Sequence, residues 1–330
     1  MTVASAELEP RPSRVRAAGQ AVIDRPLIML AVILVLLLIA CEIASPGYIS
    51  GQRIGSVLRF AAPLALLAAG QTLVMLTAGI DLSVANTATA AGYIMAGQAS
   101  RGTGTALAIA LLVGLVIGLV NGIGVGIFGV QPLIMTLGMA AIVIGLLTVS
   151  AQSFVTGVPL VPSFVRDLAA GNLIGNVIPN SLLLWGAIAA VIVLGLRYSG
   201  FGRMLYAVGD NPTACRLAGV RVWQVLLVTY VLCGVLAAMG GVLYVGLTNA
   251  ADLSLAQPYL LPSVAAVVIG GTSIFGGIGG YSGTIMGAII LVVLDSLLTL
   301  LDATQAFKQI LYGLIILALA WLYATSTKRV

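Results

Sequence analysis

The sequence predicts an all-α, polytopic membrane protein of about ten transmembrane helices. Composition is the first reason: hydrophobic residues make up 60% of the chain, charged residues only 8%, and the mean hydropathy is +1.15. Soluble domains contain about 25% charged residues, so these few charges could not cover a surface that faces water. Spacing is the second reason, because apolar runs of nearly bilayer-spanning length recur along the whole sequence.

The apolar runs define the predicted spans, each near the ~20 residues that a helix needs to cross a bilayer. They lie at residues 27–44, 60–79, 84–98, 106–128, 132–151, 181–196, 222–247, 261–275, 282–301 and 309–325. The first run has no small-residue cleavage site at its end, so residues 1–26 are predicted to be a cytoplasmic tail and not a cleaved signal. Residues 27–325 then form the membrane domain, and residues 326–330 a second tail.

Basic residues orient these helices. With ten crossings and the first tail inside, both tails and the segment 197–221 lie in the cytoplasm. These stretches hold ten of the fifteen Lys and Arg residues: Arg11, Arg14, Arg16, Arg25, Arg197, Arg203, Arg216, Arg221, Lys328 and Arg329. The excess on one side is the positive-inside bias of inner-membrane proteins, and it agrees with an even number of spans.

The residue inventory argues against an enzyme or a bound cofactor. The chain has no His, and Cys41, Cys215 and Cys233 form no CxxC pair, so neither a metal site nor a redox motif is indicated. Neither Lys308 nor Lys328 lies in a nucleotide-binding P-loop. Any ATP hydrolysis must therefore come from another chain.

A ten-residue motif occurs twice. Residues 76–85 match residues 247–256 at six of ten positions, at a constant offset of 171. In the ten-span topology the two copies lie at opposite membrane faces, which predicts inverted repeats of the kind common in transporters. Chance similarity between apolar segments is the alternative.

The predicted spans that follow the two motifs, 84–98 and 261–275, are short, and the second runs into the glycine-rich tract 270–280. Such interrupted segments indicate either a translocation path or close helix packing, and both interpretations stay open. Asp81 and Asp252 each precede a Ser by two residues, so capping of backbone N–H groups is preferred over a pathway role. The candidate path residues are Gln71, Asp81, Ser83, Asn86, Asn121, Thr136, Asp252 and Ser254.

The cytoplasmic segment 197–221 is too polar to be a span. Residues 203–208 predict a short helix that ends at Gly209. Asn211 suits an N-cap, Pro212 the first helical position and Gly219 the C-terminal stop, which together predict a second helix of about seven residues. A helix this short is marginal alone and needs a surface to pack against. Its small, smooth face, formed by Ala214, Leu217 and Ala218, suits a groove on a partner protein.

Four motifs carry a resemblance to a known family: residues 79–84, 132–138, 202–220 and 275–284. With them, the chain resembles over essentially its whole length the permease subunit of ribose-type ABC sugar importers, within the branched-chain amino acid and sugar permease group. Two departures are Ala85, where Gly is usual, and Gln131, where an apolar residue or Pro is common.

The resemblance implies a fold like that of type II ABC importers, and import of a sugar such as a pentose or hexose across the bacterial inner membrane. It implies a second permease copy, ATP-binding cassette ATPases, a periplasmic sugar-binding protein and no nucleic acid as partners. The implied contacts with the ATPase are Gly202, Arg203, Ala207, Gly209, Asn211, Pro212, Ala214, Leu217, Ala218 and Gly219.

Two alternative functions remain. An ion-coupled secondary transporter needs charged groups within the membrane, and here Asp295 is the only acid clearly inside a predicted span, with Glu42 at the end of another. An importer of the same fold for another solute, such as an amino acid, is the second. The identity of the sugar, and the choice between a homodimer and a pair of related permeases, stay open.

Overall fold

A computed structural model describes residues 26–154, 160–174 and 178–327. Most of the predicted first tail and residues 328–330 of the second therefore lie outside the described residues. The described helices are α1 (Pro26–Ala44), α2 (Gly51–Leu76), α3 (Val84–Gly97), α4 (Thr103–Gly126), α5 (Pro132–Phe154), α6 (Ser163–Ala170), α7 (Asn180–Tyr198), α8 (Gly200–Asp210), α9 (Pro212–Leu217), α10 (Val222–Thr248), α11 (Leu260–Ile269), α12 (Tyr281–Leu300) and α13 (Gln305–Thr327). Strands β1 (Asn172–Ile174) and β2 (Ile178–Pro179) form an antiparallel ribbon, and 3₁₀ turns occupy Ala99–Arg101 and Gln257–Tyr259.

The predicted count of ten spans is not confirmed. Among the described residues, seven helices are long and apolar enough to cross a membrane: α1, α2, α4, α5, α7, α10 and α12. Helices α3 and α11 have only 14 and 10 residues, because the chain before each of them and after α11 is irregular. Helix α13 has 23 residues, Gln305–Thr327, and its described side chains form an apolar stretch over Gln305–Trp321. Helix α2 begins nine residues earlier than predicted, at Gly51, and so includes Arg53 and Arg59.

Helices α2 and α10 form the centre of the protein. Most residues of both are buried, whereas few residues of α1, α5 and α7 are buried. An apolar helix surface of this kind is stable only against lipid or another protein. The arrangement therefore places a buried helix pair within a shell of lipid-facing helices.

The two halves repeat the same element order. A long central helix, a short helix after a break and two further helices occur first as α2 to α5 and then as α10 to α13, and the two central helices begin 171 residues apart. They run antiparallel: a Cβ added at Gly70 would lie 2.9 Å from Cys233 Sγ, and one at Gly240 would lie 3.0 Å from the carbonyl oxygen of Pro63. Antiparallel equivalent helices are the inverted arrangement that the repeated motif predicts.

The sequence did not predict α6 or the β-ribbon, which lie between α5 and α7. These elements are too short to show a clear periodicity, with eight residues in the helix and two or three in each strand. Val165 and Ala169 of α6 are buried against the end of α10, where a Cβ at Gly246 would lie 2.6 Å from the Val165 carbonyl oxygen. Arg59 of α2 donates to Asn172 of β1 over 2.5 Å.

Candidate functional site

The short helix α9 has the start and stop signals that the sequence predicts. Asn211 is the N-cap, and its side-chain oxygen accepts from the backbone N–H groups of Thr213 and Ala214 over 3.1 and 2.9 Å. Pro212 is the first helical residue. Gly219 has a φ of +82°, the left-handed conformation expected after a helix C-terminus. The helix has six residues, one fewer than predicted.

The predicted role of Gly209 is wrong. Helix α8 continues through Gly209 to Asp210, and it ends because Asn211 is extended before a proline. A Cβ at Gly209 would lie 1.8 Å from the carbonyl oxygen of Leu76, at the end of α2. Gly277 donates its backbone N–H to that same oxygen over 3.1 Å. Gly209 is therefore required for close approach of two backbones and not as a helix terminator.

Helix α8 contacts irregular backbone in both halves of the repeat. The end of α2 meets Gly209, and the hydroxyl of Tyr206 donates to the carbonyl oxygen of Gly279, 2.9 Å away in the glycine-rich loop. In that loop Gly276 and Gly277 have φ values of +87° and +71°. A movement of α8 would thus displace both the end of α2 and the glycine-rich loop between α11 and α12.

The other residues predicted to contact the ATPase divide into a set packed against neighbouring backbone and an open set that is exposed to solvent. Gly202 is buried, and a Cβ there would lie 2.3 Å from the Leu196 carbonyl oxygen. Leu217 is 86% exposed, although it is a large apolar residue. The remaining members of the open set are Arg203, Ala207, Asn211, Pro212, Ala214, Ala218 and Gly219.

Four of the predicted path residues come together in a buried polar cluster at the break between α2 and α3. Asp81 is 2% exposed, and its Oδ1 accepts from the backbone N–H and the hydroxyl of Ser83 over 2.8 and 2.6 Å. Cys233 of α10 donates to Asp81 Oδ2 over 3.4 Å. Gln71 accepts from the Asp81 N–H, and Asn121 of α4 donates to the Ser83 hydroxyl over 2.9 Å. The cluster therefore ties the break to α2, α4 and α10.

Thr136 and Asn86 hold neighbouring elements together. The Thr136 hydroxyl accepts from the Leu82 N–H over 3.0 Å and lies 2.9 Å from the Pro132 carbonyl oxygen. The Asn86 amide donates to the Ala140 carbonyl oxygen over 2.8 Å. Both side chains thus join α5 to the region of the break, which is the common use of polar residues between membrane helices.

The two aspartates have the same local hydrogen bonds but different surroundings. Like Asp81, Asp252 accepts from the backbone N–H of the serine two residues later, here Ser254 over 2.8 Å, and also from its hydroxyl. These bonds lower the pKa of the exposed Asp252 carboxyl. Neither aspartate occupies a helix N-cap position, since Ser83 is the N-cap of α3 and Tyr259 that of α11. Each carboxylate instead bonds the backbone N–H of a turn. Asp252 and Ser254 lie outside the buried cluster.

A cavity of about 850 Å³ lies among α2, α10, α11, α12 and α13, and none of the predicted path residues lines it. Its aromatic lining comprises Tyr48, Phe60, Tyr244, Tyr259 and Tyr312, and the rings of Tyr244 and Tyr259 are 4.6 Å apart. Hydroxyl and charged groups also line the cavity, namely Ser50, Arg53, Ser56, Asp295, Ser296 and Thr299. The cavity is the main feature that the sequence did not predict.

An ion pair between α12 and α13 fixes one carboxylate on the cavity wall. Lys308 Nζ lies 2.9 Å from Asp295 Oδ1 and donates to the Thr299 hydroxyl over 2.7 Å. The Tyr312 hydroxyl donates to the same Asp295 oxygen over 3.1 Å. The lysine side chain is buried, whereas that of Asp295 is 47% exposed, and its Oδ2 has no partner among the described residues. This oxygen is free to accept a hydrogen bond from a solute.

Comparison with known proteins identifies the family. Residues 53–320 match the family described as branched-chain amino acid transport system / permease component. The chain belongs to this permease family. The match begins within α2 and ends within α13, so it includes most of both halves of the repeat, the segment 197–221, the buried cluster and most of the cavity lining. With its long apolar helices, the permease is a multi-pass protein of the bacterial inner membrane.

Several curated relatives are similar to the permease over most of their length. The ribose import permease protein RbsC of Escherichia coli K12 is 32% identical over 296 residues, which cover 87% of this chain and 90% of the relative. RbsC of Bacillus subtilis is 33% identical, with 86% and 88% covered. The fructose import permease protein FrcC of Rhizobium meliloti is 32% identical, with 87% and 82% covered. No solved structure matches.

Proposed function

We propose that this permease is the membrane-spanning subunit of an ATP-driven importer for a sugar. The main support is its similarity, over 86–87% of its length, to relatives named as ribose and fructose import permeases. ATP hydrolysis is assigned to separate ATPase subunits, and the sugar is delivered by a periplasmic binding protein. The permease pairs with a second permease chain, its termini lie in the cytoplasm, and residues 27–325 form the permease domain.

The cavity is the proposed contact site for the sugar. Ligand pockets typically combine apolar and aromatic walls with a few polar groups that fix orientation. Here the tyrosine rings offer faces for the C–H surfaces of a sugar ring, and Asp295 Oδ2 accepts from a sugar hydroxyl. The buried cluster of Gln71, Asp81, Ser83 and Asn121 is assigned a structural role instead, because its polar groups are mostly bonded to one another.

Helix α9 is the proposed contact with the ATPase. Its exposed face of Ala214, Leu217 and Ala218 has room for close approach, and α9 follows directly on α8, which contacts the end of α2 and the glycine-rich loop. An ATPase that grips α9 would therefore act on the end of α2 and on the glycine-rich loop. This continuity supports the assignment of residues 197–221 as the coupling segment.

Uptake into proteoliposomes tests the function. The permease is reconstituted with the ATPase and the sugar-binding protein of the same importer, and uptake of labelled ribose, fructose and leucine is measured with and without internal ATP. We expect ATP-dependent sugar uptake that a protonophore does not abolish. Uptake that needs no ATP and collapses with the protonophore would identify a secondary transporter, and ATP-dependent uptake of leucine alone would identify an amino acid importer.

A further inference from the structure

Besides the cavity, a groove lies where α4 ends and α10 begins. It measures about 540 Å³, within the roughly 300–1,000 Å³ of small-molecule sites. The two helices touch at its base, where a Cβ at Gly126 would lie 2.8 Å from the Trp223 carbonyl oxygen. The lining combines two arginines with aromatic and aliphatic groups, among them Val125, Ile127, Arg216, Arg221, Trp223 and Leu226.

The groove carries positive charge without a counter-charge. No acidic residue lines it, and neither Arg216 nor Arg221 forms an ion pair with any residue in the described ranges. Both arginines are exposed. A guanidinium group binds phosphate through two parallel N–H donors, so two such groups at one groove favour a phosphate-bearing ligand.

The groove also lies at one end of two helices of membrane-spanning length. Both α4 and α10 are apolar enough to span a membrane, and the groove sits at their adjacent ends. Trp223 is 43% exposed there, as is typical of tryptophan at a membrane interface. Ile127 and Phe128 are exposed beside it, so an apolar surface for acyl chains adjoins the charged groups.

We propose that this groove binds the phosphodiester headgroup of an anionic phospholipid. The two guanidinium groups contact the phosphate, the Trp223 ring lies at the glycerol level, and the acyl chains extend along the exposed apolar residues. Basic pockets at the cytoplasmic ends of membrane helices bind anionic headgroups by this chemistry. Since Arg216 belongs to α9, the lipid also anchors the coupling segment to the membrane surface.

Native mass spectrometry of the intact permease in detergent tests the proposal. The probes are phosphatidylglycerol and phosphatidylcholine with the same acyl chains. We expect one phosphatidylglycerol per chain to be retained in preference to phosphatidylcholine. The double variant Arg216→Gln/Arg221→Gln should bind it about thirty-fold more weakly, which corresponds to about 2 kcal/mol. Arg216→Gln alone, on an exposed side chain that folding does not need, should weaken binding about five-fold.

The matched control is Arg197→Gln/Arg203→Gln, which removes two charges from the same segment but outside the groove, and it should leave lipid retention unchanged. Equal retention by the groove variants and the parent would overturn the proposal. Displacement of the lipid by millimolar inorganic phosphate would identify a site for a small anion instead. Groove variants that keep the lipid but lose the co-purifying ATPase would show that the arginines contact protein.

Discussion

The side-chain amide of Gln257 donates a hydrogen bond to Asn86 Oδ1, and these two residues are 171 positions apart, which is the offset of the internal repeat. Equivalent residues can touch only close to the axis that relates the two halves. Beside them, the Ala256 N–H donates to the Thr89 hydroxyl over 3.2 Å. The start of α3 in the first half is thus bonded directly to the break of the second half.

The Asn86–Gln257 bond should couple the two halves energetically. In a double-mutant cycle, Asn86→Ala and Gln257→Ala should show a coupling of about 1 kcal/mol in the free energy of unfolding, the usual net worth of one hydrogen bond. Thermal unfolding in detergent gives the four values. The control cycle pairs Asn86→Ala with Gln224→Ala, at the far end of α10, and should be additive. Additivity in both cycles would mean that the bond contributes nothing.

Gly209→Ala should disrupt the contact between α8 and α2. The new Cβ would lie 1.8 Å from a backbone oxygen that is also bonded to Gly277, so no flexible side chain can move away. Forced backbone shifts of this kind cost about 1–3 kcal/mol. We expect a lower melting temperature and weaker coupling of ATP hydrolysis to uptake. Gly200→Ala, in the same helix with only a side-chain atom 4.0 Å away, is the control and should behave as the parent. A stable, fully coupled Gly209→Ala protein would contradict the close approach.

The sequence correctly predicts features that depend on residues close together in the chain, but not features that depend on tertiary contacts. Asn211, Pro212 and Gly219 set the ends of α9 through contacts within a few residues, so their types alone were sufficient. The reason for a glycine at position 209 is the Leu76 carbonyl oxygen, which tertiary packing alone brings there. A glycine that permits close packing and one that ends a helix are indistinguishable in a single sequence.

The same distinction explains which site features were found. Gln71 and Asn121 were candidates as polar residues on apolar helices, and Asp81 as the acid beside a break. The structure does bring them together. The cavity was not predicted, because its tyrosines occur singly on several helices and nothing in the sequence shows which helix faces meet. The Asp295–Lys308 pair depends on the angle between α12 and α13, which residue types do not determine.

The two aspartates should differ in their importance for stability. Asp81→Ala removes the acceptor of three buried donors, two on Ser83 and one on Cys233, and should destabilise by about 1–3 kcal/mol. Asp252→Ala leaves the two Ser254 donors free to bond water, and it should change the free energy of unfolding by about 0.5 kcal/mol or less. Chemical unfolding of both variants provides the measurement. Asp81→Asn keeps an acceptor for Ser83 and should transport. Loss of uptake by a well-folded Asp81→Asn protein would instead assign this residue to the pathway.

Asp295→Asn should weaken sugar transport. The amide oxygen still accepts from Lys308 and Tyr312, but the buried Lys308 ammonium loses its counter-charge and the charged acceptor facing the cavity is lost. Melting temperature is therefore measured beside uptake, because an uncompensated buried charge lowers stability. Hydrogen bonds to charged groups contribute about 1.5–3 kcal/mol, so we expect the KM for uptake to rise about ten-fold or more. Asp302→Asn, an exposed acid that does not line the cavity, is the control. An unchanged KM for Asp295→Asn with normal uptake would remove this residue from the substrate site.

Ala214→Glu should separate the permease from its ATPase. Ala214 is exposed in the middle of α9, so the added side chain does not disturb the membrane helices. The Asn211 cap is also kept, because it bonds the backbone N–H of residue 214 and not its side chain. Within a groove on the ATPase, however, the glutamate would clash and bury a carboxylate without a partner, which is strongly unfavourable. We expect normal insertion, loss of the ATPase in co-purification and loss of uptake.

Thr213→Glu is the control for this substitution. It adds the same side chain and charge to the neighbouring exposed position of α9, roughly 90° around the helix from the centre of the face formed by Ala214, Leu217 and Ala218. It should retain the ATPase. If both variants lose it, added charge on the segment is the cause and the contact is not specific to that face. An Ala214→Glu protein that binds the ATPase and transports at the parent rate would show that α9 is not the coupling helix.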